Sequence, residues 1–339
     1  MSRIDIRRFD LRGLATLLIA LGQLAYLGSL AVDRERLLNS ETHIHLRTAP
    51  VDPRDPFRGD YVTLRYDLNA VAADALRGDL AAHRDHKGRP AYATLERYPG
   101  SQDLYRLRHL TDQPPDDGLF VAGKLRRGWR RPAGGVAVSY DIEKLFVEQG
   151  KGLEIEERRG SRDGLQVPME VEIALDERGR AAIRDYRWSP IGVSFEAERS
   201  DEHPAPKVRF TLHNVGDTAR YLVDPGDHCS FAVIPADWGA APWPSSHAGC
   251  GAASTPADLH RLEPGATYTV ELDLNQPRWQ LEYEGQSVTI DRIAEARRGT
   301  RFRIVYRPDP SGTAGLEPLE RSGIVEQASP AFTASALID

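Results

Sequence analysis

The chain has 339 residues, 40% hydrophobic and 28% charged, with a net charge of −6. That balance suits folded matter rather than disorder, leaves room for two domains of roughly 140 to 150 residues, and lacks the basic excess that marks nucleic-acid binding. Its two cysteines exclude a disulfide framework and permit one bridge.

Leu14 to Val32 carries no charge, and Gln23 is its only strongly polar member. As a helix this run would span about 28 Å, close to the hydrocarbon thickness of a bilayer. Arg3, Arg7, Arg8 and Arg12 precede it. The positive-inside rule therefore keeps residues 1–13 in the cytoplasm and exports the chain beyond Asp33. Residues 14–32 are read as an uncleaved transmembrane anchor in contact with lipid. Two other readings stand beside it. A cleaved signal peptide would use Ser29 and Ala31, but the run is longer than a usual apolar signal core. A buried soluble helix would not need to be uncharged all round.

Residues 33–187 are read as a first exported, mixed β-rich domain. Thr42 to Arg47 alternates, with Ile44 and Leu46 on one face and His43, His45 and Arg47 on the other, the pattern of a half-buried strand. Two X-Pro steps, at Pro53 and Pro56, then lock an extended, turning approach, and Gly59-Asp60 makes a tight turn. Tyr61 to Tyr66 is expected as one strand. Val62, Leu64 and Tyr66 would share a face, with Tyr61, Thr63 and Arg65 opposite. The Ala- and Leu-rich stretch Asn69 to His83 reads as helical. Short strands are expected at Ala91 to Arg97, Leu104 to Leu110, Leu119 to Leu125 and Val136 to Tyr140. Ile142, Leu145 and Phe146 stand at helical spacing within Ile142 to Arg158, and Glu154 to Arg159 reads as solvated. Val167 to Leu175 alternates again, and Ala181 to Tyr186 comes after an Asp176-Glu177-Arg178-Gly179 turn.

Gly59-Asp60-Tyr61, with Leu64 and Tyr66, resembles the signature of the GDYXXLXY family of bacterial membrane-anchored proteins. A second block, Ser139 to Gly152, is similar to another recurrent element of that family, a short strand running into a helix with a phenylalanine, a glutamate and a small-residue turn. Asp141 stands where the family pattern has glycine. The two blocks lie in the right order, about 75 residues apart, and the resemblance covers roughly residues 40–186. It implies a single-pass protein of the bacterial inner membrane, N-terminus cytoplasmic and C-terminal domains periplasmic. It also implies a multi-pass membrane protein as partner, since members are encoded beside, or joined to, such domains. It implies no activity.

The candidate binding residues are Asp52, Asp55, Arg58, Gly59, Asp60, Tyr61, Leu64 and Tyr66, a motif of structural character. Asp52, Asp55, Asp60 and Asp67 cluster in sequence, but without the regular spacing of a calcium loop. Asp52 and Asp55 are read as turn residues around Pro53 and Pro56. Arg58-Gly59-Asp60 spells an adhesion tripeptide and is read as coincidence. A Gly-Asp turn before a strand also occurs in signal-peptidase-like enzymes, but the required Ser and Lys elements are missing.

After Trp188-Ser189-Pro190, residues 190–339 shift to strand-turn-strand repeats. Strands are expected at Lys207 to His213, Ala219 to Val223, Ser230 to Ile234, Thr267 to Leu274 and Arg301 to Arg307, with a short helix at Ile290 to Arg297. Such regular spacing argues for an immunoglobulin-like β-sandwich. The whole chain is thus expected to be α+β and mostly β. One site is dense: His228, Cys229, His247 and Cys250. In an oxidising compartment Cys229 and Cys250 would pair around a loop holding Trp238 and Trp243. Two free thiols are one alternative, and a Cys₂His₂ zinc site is the weaker one, because neighbouring residues of a strand point to opposite faces.

No nucleotide-binding, nucleophile-elbow or zinc-protease motif is present. The expected function is a non-enzymatic binding or assembly partner of a multi-pass inner-membrane protein, with no cofactor. The alternatives are a periplasmic hydrolase using Asp52, Asp55 and Asp60 at the domain interface, or a ligand or metal sensor centred on His228 and Cys229.

Overall fold

The computed structural model describes residues 11–49, 61–82, 87–126, 135–148, 150–159, 164–198, 203–236, 250, 253–283, 286–296, 299–317 and 324–333. The uncharged run lies within helix α1 (Leu11–Leu38). Its apolar side chains stay uncovered: Leu24 is 65% exposed and Ile19 62%. Among the described residues its C-terminal end meets the body, where Leu37 is buried and Asp33 pairs with Arg180 at 2.7 Å.

The first half contains β1 (Thr42–Ala49), β2 (Tyr61–Thr63), β3 (Arg65–Tyr66), β4 (Ala70–Val71), β5 (Pro90–Arg97), β6 (Leu104–Thr111), β7 (Phe120–Arg126), β8 (Val136–Ser139), β9 (Lys144–Phe146), helix α2 (Lys151–Arg159), β10 (Met169–Leu175) and β11 (Ala181–Trp188). Its main sheet runs β11-β10-β1-β6-β5-β7-β8-β4, and β3 pairs with the end of β1. The β1–β6 pair is parallel, and the other pairs are antiparallel. Alternation sets the register, since a one-residue slip would expose the core face. Ile44 and Leu46 are buried together, as are Val62, Leu64 and Tyr66. The β10–β11 turn is held by Asp176, whose Oδ1 accepts from the Arg178 and Arg180 amides. Gly179 (φ +73°) lies so close to Phe120 that a Cβ would sit 2.5 Å from the ring.

Three expectations in this half are corrected. Asn69 to His83 is not one helix. Asp67–Asn69, Ala73–Ala75 and Gly78–Ala81 are separate 3₁₀ turns, and Ala70–Val71 joins β8; His83 lies outside the described residues. Tertiary pairing outweighs Ala/Leu helix propensity here, and Gly78 breaks the run at φ +63°. Tyr61 to Tyr66 is two short strands that change partner at Leu64. Ile142 to Arg158 is not one helix either. Asp141 (φ +60°) turns the chain in the left-handed region, Lys144–Phe146 forms a strand, and Gly150 (φ +91°) intervenes before α2.

The second half contains β12 (Ile191–Glu198), β13 (Lys207–Asn214), β14 (Arg220–Val223), β15 (Phe231–Pro235), β16 (Leu259–Leu262), β17 (Thr267–Asp273), β18 (Gln280–Tyr283), β19 (Gln286–Thr289), helix α3 (Ile290–Ala296), β20 (Arg301–Tyr306), β21 (Gln327–Ala328) and β22 (Phe332–Thr333). Sheet β12-β13-β17 faces the sheet formed by β15, β20, β21 and β22 across one core. Phe210 meets Phe231 at 5.5 Å and Phe195 meets Phe332 at 4.9 Å between ring centroids. The described strands also form two separate ribbons, β14–β16 and β18–β19, and this order does not establish an immunoglobulin-like topology. Cys229 is bonded to Cys250, with Cα atoms 5.5 Å apart.

The strained turn and the bridge each have a measurable consequence. Asp141 makes no hydrogen bond within the described residues, so Asp141→Gly should raise stability by about 0.5–1 kcal/mol in a denaturant titration, since the left-handed penalty disappears. Replacing both cysteines by alanine should cost about 3 kcal/mol in the same assay, the value of closing a loop of this size.

Candidate functional site

The two signature blocks form a clasp. Tyr61, Val62 and Thr63 on β2 stand opposite Phe146, Leu145 and Lys144 on β9. The Leu64 amide donates to the Glu143 carbonyl at 2.9 Å, and the Tyr66 hydroxyl donates to the Ile142 carbonyl at 3.0 Å. Glu143 is the hub. Its Oε1 accepts from the Tyr140 amide (2.7 Å) and the Asn69 side chain (2.9 Å), and its Oε2 from Ser139 Oγ (3.1 Å). The Tyr140 hydroxyl, its pKa pushed well above the ordinary value by burial and then by Glu143, donates to the Leu68 carbonyl. Outside the clasp, Phe146 is 78% exposed. Its ring lies 6.2 Å from that of Tyr61, over which Lys144 Nζ sits at 5.3 Å.

Directly after the signature, Asp67 faces a charged junction between the two halves. The polar face of β1 supplies His45 and Arg47. Arg47 Nη2 pairs with Glu170 at 3.0 Å, and Arg187 Nε binds the same carboxylate at 2.8 Å. Arg187 also forks onto Asp103 at 2.7 and 2.8 Å, with His45 Nδ1 3.2 Å from that carboxylate. From the second half comes the segment before β21. Arg47 donates to the Glu326 carbonyl, while the Glu326 carboxylate holds Arg307 at 2.8 Å and Arg106 at 3.8 Å. The Tyr98 ring lies between the guanidinium groups of Arg47 (5.8 Å) and Arg106 (5.3 Å). Tyr98, Leu104 and Val325 form a small apolar cluster beneath. Gly100 (φ +80°) lets the Ile324 carbonyl approach where a Cβ would stand 2.6 Å away.

Electrostatics separates two acids here. His45 and the Arg187 fork hold the Asp103 carboxyl well below the usual carboxylate range. Surrounding protein pushes the Asp67 carboxyl up, and Glu326 adds to this, while Arg303 and Arg47 oppose it. Asp67 nonetheless keeps accessible surface, so water screens part of that push. Asp67 is thus an exposed carboxyl near charged groups from both halves, Arg47 in the first and Arg303 and Glu326 in the second. Carboxylate-pair hydrolysis needs a second, suitably placed acid. The neighbouring Glu96, Glu170, Glu326 and Asp103 are all engaged by arginines.

Of the candidate residues, Tyr61, Leu64 and Tyr66 belong to the clasp. Asp52, Asp55, Arg58, Gly59, Asp60 and His247 lie outside the described residues. Both cysteine sulfurs are committed to their bond, which leaves neither as a thiolate for a metal, and among the described residues no group of three acidic, His or Cys side chains is arranged to hold one. Sequence reading passed over Arg47, Tyr98 and Glu326 as site residues. They meet across more than 200 positions, and no local pattern announces such a contact.

The fold and this site define a β-rich protein with one long apolar helix ahead of a signature clasp. Residues 23–185 match the family described as GDYXXLXY protein. No curated protein and no solved structure matches the chain.

The Asp67 shift has a definite sign. Its folded-state pKa is raised, so its contribution to stability is full below the ordinary carboxylate value of about 3.9 and is lost as pH rises through the folded value. Asp67→Asn should therefore melt higher than the parent at neutral pH and lose that advantage near the ordinary carboxylate pKa, as read by circular dichroism. A lower melting point at neutral pH would show that Arg303 and Arg47 outweigh burial.

Proposed function

We propose that this protein is a single-pass, membrane-anchored, non-enzymatic component of the bacterial envelope, whose exported β-rich body docks with a multi-pass inner-membrane protein. The observation that carries this reading is the uncovered apolar surface of α1 beside a body that buries its own apolar residues. Such a surface is costly in water and at home in lipid. The positive residues before it favour a cytoplasmic N-terminus, and the disulfide suits an oxidising compartment outside. Gly22 and Ser29, seven residues apart, share a helix face, and Gly28 lies beside it. Among the described residues, no other group lies within 4 Å of a Cβ built at either glycine. Small positions of this kind let a second transmembrane helix approach closely.

The contacts of Asp33 and Leu37 tie the helix to the β10–β11 end of the main sheet. From there β1 runs about 26 Å to the clasp, so the family signature would stand away from the lipid. A hydrolase reading has the raised Asp67 carboxyl in its favour, but the neighbouring acids Glu96, Glu170, Glu326 and Asp103 are engaged by arginines.

The test uses detergent-solubilised full-length protein after crosslinking in cells, together with a reporter fused to its C-terminus. We expect a reporter active only on the outer side of the inner membrane and one multi-pass protein in the crosslinked fraction. Gly22→Ile with Ser29→Ile should lose that protein while the body melts unchanged. A reporter active in the cytosol, or a crosslinked fraction without membrane protein, would overturn the reading.

A further inference from the structure

A groove of about 710 Å³ opens in the second half, remote in sequence from the signature, and His228, Arg278, Trp279, Lys207, Glu198 and Asp273 are among the residues that line it. Two of these are prepared in unusual ways. His228 is held by Asp224, a carboxylate whose side chain is 2% exposed. Asp224 Oδ2 accepts from the Tyr268 hydroxyl at 2.7 Å and lies 2.9 Å from His228 Nδ1. This pairing places the proton on Nδ1 and leaves Nε2 as the other ring contact. The ring is further fixed edge-on to Phe231 at 6.2 Å. Its backbone is strained: Asp227 (φ +64°) and His228 (φ +55°) are consecutive non-glycine residues in the left-handed region. Strain of this kind persists only where the surroundings enforce it, and it gathers at ligand sites. Here the enforcement is at hand, in the Asp224 contact and in the bond from the next residue, Cys229, to Cys250.

Arg278 is the second prepared group. Its guanidinium lies over the Trp279 ring at 5.1 Å. Its Nε and Nη2 are buried and have no hydrogen-bond partner among the described residues. Stacking on one face leaves the N–H edge of a guanidinium free, and that edge matches the two oxygens of a carboxylate or phosphate. Several other charges around the groove are already engaged. Arg209 is held by Glu196 and Glu271, and Asp273 accepts from Asn275, while Glu198 and Lys207 stand opposite each other in the β12–β13 register, both exposed.

We infer that this groove is a binding site for a ligand bearing an oxyanion, carboxylate or phosphate, with Arg278 gripping the anion and His228 Nε2 making a second contact. The site goes beyond the anchoring role and does not depend on it.

The experiment is calorimetric titration of the full chain in detergent at low salt, with inorganic phosphate in one arm and succinate in the other. Saturable binding below about 10 mM is expected in at least one arm. Phosphate alone would mark a phosphoryl ligand and succinate alone a carboxylate. Arg278→Ala should weaken binding about tenfold or more, and Arg278→Lys should also weaken it, because the fork is lost. His228→Asn should bind more weakly without a lower melting temperature, since the Asn amide stands near the Nδ1 position, can still donate to Asp224 and tolerates the left-handed backbone, while the Nε2 contact is lost. A purely structural histidine would instead lower the melting temperature and leave affinity alone. No saturable heat in either arm, or an Arg278→Ala chain that titrates like the parent, would overturn the inference.

Discussion

The first half depends on one carboxylate holding two distant pieces of chain together. Glu143 takes hydrogen bonds from Ser139, Tyr140 and Asn69. It thereby shapes the turn after β8 and ties it to the chain just past the signature. Only with that turn in place does β9 lie where β2 can pair with it. A hydrogen bond to a charged acceptor is stronger than one between neutral groups, and leaving any of these donors buried and unpaired would cost about 1–3 kcal/mol. The spelling of the signature reflects this geometry. Leu64 and the Tyr66 ring fill the core, the Tyr66 hydroxyl reaches the carbonyl of Ile142, and Tyr61 remains outside.

The second half adds a different constraint. The stretch from Ile324 to Ser329, within its final described segment, works on both halves. Val325 packs on Tyr98 and Leu104, Glu326 gathers Arg106 and Arg307, and Gln327 returns to pair with Tyr306. The other connection, Ser189-Pro190, is short and paired on both sides: Ser189 donates to Pro168, and Pro190 accepts from Val215. Two attachments so far apart in sequence oppose free rotation of one half against the other. The electrostatics at Asp67 therefore depends on residues from both halves, Arg47 on one side and Arg303 and Glu326 on the other.

Much of this was legible in the sequence wherever a strand has one wet face and one dry face. His43, His45 and Arg47 alternate with Ile44 and Leu46, and a period of two has one simple reading. The same rule placed Val62, Leu64 and Tyr66 inward. It failed at Ile142, Leu145 and Phe146, whose spacing fits a helix equally well. The deciding fact there is backbone conformation at Asp141, together with an edge offered by β2 some 80 positions earlier. The substitution at Asp141 was nonetheless a signal, since a position where glycine is expected is one where φ is positive. The four-residue β16 went unread because its burial depends on its partner β14 rather than on its own pattern, whereas β12 carries a legible alternation at Ile191, Val193, Phe195 and Ala197 that was passed over. The charged junction around Asp67 and the Arg278 groove were illegible because they depend on distant partners. Each is assembled from residues that meet only after the sheets have formed.

The contrast between the two ends of α1 gives the remaining step. A helix whose apolar side chains are more than half exposed along most of its length would be unstable as a free element in water, and it lacks the polar stripe of a surface helix. Its last turn is quite different, since Leu37 is buried and Asp33 meets Arg180. The changeover occurs over about one helical turn, after Val32. Under the proposed anchoring, the uncovered segment is the part matched to lipid, and the short covered stretch is where lipid would end. The Asp33–Arg180 pair would then lie at the boundary, with the signature clasp held away from it by the length of β1.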